Sequence, residues 1–218
     1  MAASTSPQER LAIFGTGGHA REAAWIAESL GYARANLVFV VDAAHRTQSR
    51  VNGIEVIEAT PEACAGWPCV VAVGDPRARA SIRERCTGLG MLAARLVAPS
   101  CALHDSVVLG DGVILAPGSV ITVNVSLGND VHVNVGASVS HDVRIGRFTT
   151  VSPGARIAGH VHIGESVFVG VGASIINGTP DEPLEIGDGA IIAAGACVIA
   201  PVARGSTVMG VPARPRHP

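Results

Sequence analysis

The chain has 218 residues, room for two modest domains, and a net charge of −2 with no basic block, which argues against nucleic acid as a partner. Only 3% of residues are aromatic while glycine supplies 26, a composition that suits a narrow interior closed to large rings. No apolar run reaches the length of a membrane span, and Met1–Arg10 lacks the apolar core of a secretory signal, so the expectation is a cytoplasmic protein with residues 1–9 as a flexible arm.

Residues 10–96 read as a small Rossmann-like α/β domain. Leu11-Ala12-Ile13-Phe14 is a short apolar strand that runs into Gly15-Thr16-Gly17-Gly18-His19-Ala20. A helix is predicted from about Arg21 to Leu30, ended by Gly31. Leu37 to Val41 is a second strand, closed by Asp42, and Val70 to Val73 a third, running into Gly74-Asp75-Pro76. Asp75 is placed to cap the next helix, which Pro76 begins and which reaches about Thr87. Met91 to Leu96 supplies a further strand. This alternation implies a parallel sheet with right-handed crossovers. The glycine turn leaves backbone N–H groups at a helix N-terminus, where phosphate binds well, and Asp42 can accept bonds from a ribose or base edge. A tight turn with no ligand is the bland alternative. The unit offers one mononucleotide-sized half, so a nucleotide-sugar fits it better than a dinucleotide.

From Val97 the rhythm changes. Every sixth residue to Ile175 is aliphatic: Leu103, Leu109, Leu115, Ile121, Leu127 and onward. The fifth place of each hexad is small or β-branched, from Cys101 to Thr179. Hexapeptide repeats mark a parallel β-helix, so residues 97–218 form a second domain. In a triangular prism, residues eighteen apart stack about 4.8 Å from one another. His141 then lies beside Gly159, and Asp142 beside His160. Glycines after the aliphatic residue, as in Leu109-Gly110 and Leu127-Gly128, are expected to give the chain freedom to bend. The cadence breaks after Ile175 and resumes at Ile186, so Thr179 to Pro183 reads as an ejected loop.

His141 occupies an outward position with an acid beside it, which suits a general base; an idle surface histidine is the alternative. Asp142 has two candidate partners, His141 and the stacked His160. His104, His132, His160 and His162 read as solvated faces. Three imidazoles converging on zinc would be needed for a carbonic-anhydrase type of site, and His132, His160 and His162 do not stack that way, so no metal is expected. The five cysteines, Cys64, Cys69, Cys86, Cys101 and Cys197, lack metal or redox spacing and read as reduced thiols.

With glycine turn and hexads in one chain, the sequence resembles the two-domain acetyltransferases that modify the C4 amine of nucleotide-linked 4-amino-dideoxysugars, and is similar to the sialic acid O-acetyltransferases. The likeness rests on Gly15-Thr16-Gly17-Gly18-His19, on Asn134 to Asp142, and on Gly210-Val211-Pro212-Ala213-Arg214. It implies a left-handed β-helix, a homotrimer, acetyl-CoA lying between adjacent subunits, and a nucleotide held by the first domain. By the same resemblance His141 is the general base, Asp142 its acidic neighbour and Asn134 a polar residue on that coil. Gly17, Gly18, His19, Asp42, Gly74 and Asp75 line the nucleotide pocket, and Gly159, Thr150, Val171 and Ala194 contact the cosubstrate. Thr150 stands where some members carry a histidine, and Ala43 where some carry a second acid.

The expected chemistry is direct attack of a sugar amine on the acetyl-CoA thioester, with a backbone N–H near Gly159 facing the oxyanion and both substrates held across the domain junction. GDP-perosamine is the preferred acceptor by resemblance, for surface polysaccharide synthesis. Sugar O-acetylation and a non-catalytic nucleotide-binding trimer are the alternatives. A dehydrogenase is disfavoured because no second substrate domain follows the glycine turn.

Overall fold

A computed structural model describes residues 10–216; the arm expected over residues 1–9 lies outside them. The first unit is a sheet of β1 (Leu11–Phe14), β2 (Leu37–Val41), β3 (Arg50–Val51), β4 (Ile54–Glu58), β5 (Pro68–Val71) and β6 (Leu92–Ala93), in the order β3-β4-β2-β1-β5-β6. All neighbours are parallel except β3 and β4. Helices α1 (Gly18–Ser29), α2 (Pro61–Cys64) and α3 (Pro76–Gly88) connect them. Strands β1 and β2 are wholly apolar and wholly buried, as a central strand covered on both faces must be.

Several details differ from the sequence reading: α1 begins at Gly18 rather than Arg21, α2 and β4 lie where it placed no element, and Met91 to Leu96 is two short strands, Leu92–Ala93 here and Leu96–Val97 on the prism, rather than one. The third strand ends at Val71 rather than Val73. An unexpected hairpin, β3–β4, turns on Asn52-Gly53, both at positive φ (48° and 79°). Such a turn needs two left-handed residues, and Asn-Gly supplies them.

From Leu96 the chain winds into three sheets, of eight, six and five strands among the described residues, parallel throughout except where Arg214–Pro215 folds back antiparallel on Thr207–Met209, and these form a left-handed parallel β-helix. Face I carries Leu96–Val97, Ile114–Leu115, His132–Val133, Thr150–Val151, Phe168–Val169 and Ile191–Ile192; face II carries Ser138–Val139 and Arg156–Ile157; face III carries Ser126–Leu127, Arg144–Ile145 and Val161–Ile163. The register pairs Ile114 with His132 and His132 with Thr150, the spacing read from the repeat. First- and fifth-place residues from Val113 to Ile175 fill one continuous apolar core, apart from the buried hydroxyls of Ser119 and Thr149. The first coil is less enclosed: Leu103 is 38% exposed at the open end of the stack. Thr179 leaves the core altogether for the ejected loop, where it is exposed.

The glycines after the aliphatic positions have a different cause from the one expected. Gly110, Gly128 and Gly146 have no positive φ. A Cβ on Gly110 would stand 2.5 Å from the backbone N of Asn129, and one on Gly128 2.7 Å from that of Arg147. Close stacking of coils, not freedom to bend, excludes a side chain there.

The first unit sits on face I. Leu96, Ala98, Ile114 and Ala116, all outward or corner residues of the prism, belong to one apolar cluster with Ala20, Ala23, Ile26 and Ala27 of α1. Along face I the outward column is buried at Leu96, Ile114, His132 and Thr150, and emerges at Ile191, which is 44% exposed.

Candidate active site

At the junction, α3 presents two arginines one turn apart to the prism. Arg79 is fully buried; its guanidinium donates to the carbonyls of Val73, Gly74, Asp130 and Phe148 and to Thr150 Oγ1. Burial pulls its pKa down to about 10, against the raising effect of Asp130 and Asp75. Arg83 forks onto Asp130 at 2.8 Å, an ion pair almost closed to solvent. Arg79, Arg83 and Asp130 have no part in the sequence reading. The signal available was Arg79 and Arg83 four apart on a helix, which the periodicity alone assigns to a solvated face.

His132 corrects the sequence reading. It is fully buried, not on a solvated face, because the first unit covers face I. Its Nδ1 lies 2.9 Å from Nε2 of His19, whose Nδ1 lies 3.5 Å from Glu22. Burial lowers the pKa of both imidazoles, most strongly that of His132, so the pair is neutral. His19 follows β1 at the glycine turn, and its ring ties that turn to the prism.

The rest of the expected nucleotide pocket collects at one edge. Strands β1, β2 and β5 are parallel neighbours, so Gly17 and Gly18, Asp42, and Gly74 and Asp75 all follow their C-terminal ends. The chain leaves β1 toward β2 on one side and β5 on the other, which makes this edge a topological switch point. Gly17 caps α1 without a side chain, leaving the first-turn N–H groups open to an anion. Asp42 pairs with Arg85 at 2.9 Å. Asp75 spends Oδ1 on the N–H of Ala78. The carbonyl of Gly74 accepts from Thr150 Oγ1 at 2.8 Å.

Thr150 therefore needs a second correction. It is 3% exposed beneath the first unit, with its hydroxyl engaged by Gly74 and Arg79, so it cannot contact the cosubstrate as expected. Asn134 is also nearly buried, and its amide donates to the Val151 carbonyl at 2.9 Å. It satisfies the ladder at the corner between faces I and II. Val171 (56% exposed) and Ala194 are exposed on that same edge one coil apart, where the Gly195 N–H donates to the Val171 carbonyl.

His141 and Asp142 stand on another edge, between faces II and III. The imidazole is open to solvent, and its Nδ1 lies 2.9 Å from Asp142 Oδ2. Adjacent strand residues point apart, but Asp142 has φ 57°, and this left-handed corner swings its carboxylate under the ring. Asn124, Asp142 and His160 repeat that conformation coil by coil. Asn124 donates to Asp142 Oδ1 at 3.1 Å, and His160 Nε2 stays 3.9 Å from Oδ2. Of the two candidate partners, His141 holds the short bond. Hydrogen bonds from His141 and Asn124 keep the Asp142 carboxyl below the usual range. With Nδ1–H given to Asp142, the lone pair of His141 is on Nε2. Gly159 lies directly beneath the ring, and its N–H takes no backbone acceptor among the described residues. The imidazole stands away from the domain junction, because face I is on the opposite side of the prism from this edge.

Residues 10–86 match the PglD N-terminal domain family. Across the whole length, the chain is similar to a variant of perosamine N-acetyltransferase from Caulobacter crescentus solved with CoA and GDP-perosamine (30% identity over 97% of this chain and 98% of that one, TM-score 0.87). It is similar also to the acetyltransferase domain of PglB from Neisseria gonorrhoeae (33% identity, 96% and 100% covered, TM-score 0.85), which has been solved with acetyl coenzyme A too. WeeI from Acinetobacter baumannii superimposes with a TM-score of 0.89 at 28% identity, covering 96% of this chain and 100% of that one. No curated protein sequence matches. A nucleotide-type unit seated on a hexapeptide prism with an imidazole–carboxylate pair on its edge defines a sugar acetyltransferase of the left-handed β-helix class. Within it, the chain belongs to the nucleotide amino-sugar N-acetyltransferases. Among the described residues, no helix is long and apolar enough to cross a membrane.

Proposed function

We propose that the protein transfers acetyl from acetyl-CoA to the C4 amine of a nucleotide-linked 4-amino-4,6-dideoxysugar, with GDP-perosamine the favoured acceptor. The observation that carries this reading is the His141–Asp142 pair, in which Nδ1 of an accessible imidazole meets the carboxylate at 2.9 Å and Nε2 is the nitrogen left for the substrate. The amine nitrogen attacks the thioester carbon, and His141 Nε2 takes the proton lost from nitrogen. The oxyanion collapses, the C–S bond breaks, and the thiolate of CoA recovers a proton from the imidazolium. Asp142 holds the ring and balances its transient charge. The N–H of Gly159, which has no backbone acceptor among the described residues, bonds the developing oxyanion in this reading.

The working unit is a homotrimer. The nucleotide edge lies over face I, while His141 stands on the edge away from it. Val171 and Ala194 line yet another edge than Gly159. One prism cannot bring these together around a single CoA; two adjacent copies can, each giving one edge. This separation supports a site in which one subunit supplies Gly17, Gly18, Asp42, Gly74 and Asp75 and its neighbour His141. Synthesis of a cell-surface glycan in the cytoplasm is the setting that fits such a reaction.

The test is thiol release from acetyl-CoA with GDP-, UDP- and dTDP-linked 4-amino sugars and with sialic acid. Turnover with GDP-perosamine and acetylation at nitrogen are expected. Turnover with sialic acid alone would overturn the proposal.

A further inference from the structure

We propose that the prism edge carrying the base is also an inhibitory site for a borderline transition-metal ion such as Zn²⁺. One donor atom each from His141, Asp142 and His160 lies within 4.8 Å of the other two. Nδ1 of His141 is 2.9 Å and Nε2 of His160 3.9 Å from the same carboxylate oxygen of Asp142. Ligands around a tetrahedral zinc are separated by roughly 3.4 Å, so small rotations bring all three into a two-imidazole, one-carboxylate set with the fourth position open to water. The two rings already stand edge to face, 5.1 Å between centroids. Three left-handed corners in register fix the carboxylate between its neighbours. Imidazole-rich ligation favours Zn²⁺, Ni²⁺ or Co²⁺ over Mg²⁺ and Ca²⁺.

Occupation has a definite chemical consequence, which rests on the base assignment above. A neutral imidazole carries one proton. With the metal on Nδ1, that proton is on Nε2, the nitrogen required to accept from the amine. The metal also takes Asp142 away from its hydrogen bond. The ion therefore silences the base without filling either substrate pocket.

The experiment is calorimetric titration of the intact protein with ZnCl₂ in the absence of coenzyme A, whose free thiol binds zinc. One ion per chain is expected. His160→Asn keeps a residue that tolerates the left-handed corner but is too short to ligate, so basal turnover is retained and zinc affinity falls at least tenfold. Turnover of the native protein falls in step with occupancy and returns on adding a chelator. Cobalt absorption in the visible gives an independent reading on the native protein if the variant does not fold. Absence of binding, or zinc affinity unchanged in His160→Asn, overturns the site. Full occupancy with undiminished turnover overturns the switch. Binding is read without acetyl transfer, so a failed base assignment and a failed metal site give different results.

Discussion

Gly159 is the seat of the His141 imidazole: a Cβ there would stand 2.6 Å from Nε2. Its φ is not positive, so the backbone itself would accept alanine. Space alone demands glycine, and the space is occupied by the ring. Gly159→Ala is therefore expected to displace the base while leaving the coil intact. Turnover should fall by about 10²-fold or more, toward the loss typical of a missing general base, with the melting temperature nearly unchanged. Steady-state kinetics beside a thermal melt checks both halves; undiminished turnover would show that the ring is not used where it lies.

His141→Ala removes the base outright and is expected to cut kcat by about 10²–10⁴-fold. Binding of the nucleotide-sugar, measured by calorimetry, should change little, because the nucleotide edge is built by the first unit. A loss below about tenfold would mean that positioning rather than proton removal supplies most of the acceleration.

Asp142→Asn tests the tautomer. Asparagine tolerates the corner at φ 57° and preserves the shape of the side chain. Its amide can also donate to Nδ1, which moves the imidazole proton to Nε2 and takes the base out of use. A fall in kcat of about 10²-fold with little change in KM is expected, and Asp142→Glu should recover less than full activity because the longer carboxylate no longer meets Nδ1 at 2.9 Å.

How much of this was legible depends on what each pattern encodes. The sixfold cadence reports which residues face the prism interior, and Leu115, Ile121, Leu127 and their successors do so. It says nothing of what covers the exterior. His132 therefore reads as solvent-facing and Thr150 as a cosubstrate contact, although the first unit buries both. The pairing of His141 with Asp142 was equally open, since the strand rule sets neighbours apart and only the left-handed corner at Asp142 brings them together. The Asn52-Gly53 hairpin, by contrast, carried a readable signal in its dipeptide and in the alternation of Ile54–Glu58, obscured because the strand before it is only Arg50–Val51.

The ion pair of Arg83 with Asp130 joins the two units, with side chains 10% and 3% exposed. Asp130→Asn retains the left-handed corner at φ 55° but leaves a buried guanidinium unmatched. Arg83 Nη1 already lacks a partner, so the variant adds to an unmet donor. A loss of about 3–5 kcal/mol is expected from denaturant unfolding. A change below about 1 kcal/mol would show that the junction contributes little beyond its apolar contacts.

The neutral His19–His132 pair makes stability depend on pH in a predictable sense. Burial holds both folded-state pKa values below that of an unfolded histidine, about 6.5. Above about pH 6.5 neither state binds the extra proton, and the contribution to stability is complete. As pH falls below that value the unfolded chain protonates first, so stability is lost progressively until the folded pKa values are reached. Each group gives a slope of up to about 1.4 kcal/mol per pH unit in that window. Denaturant midpoints measured from pH 8 to pH 5 should fall, and His132→Leu, which leaves only His19 to titrate, should flatten the decline. Carboxylates such as Asp142, held below their usual range, act only at more acidic pH and do not obscure the comparison. A native protein whose midpoint is level between pH 7 and pH 5 would mean that the buried imidazoles accept protons as readily as in the unfolded chain, and hence that the junction admits water.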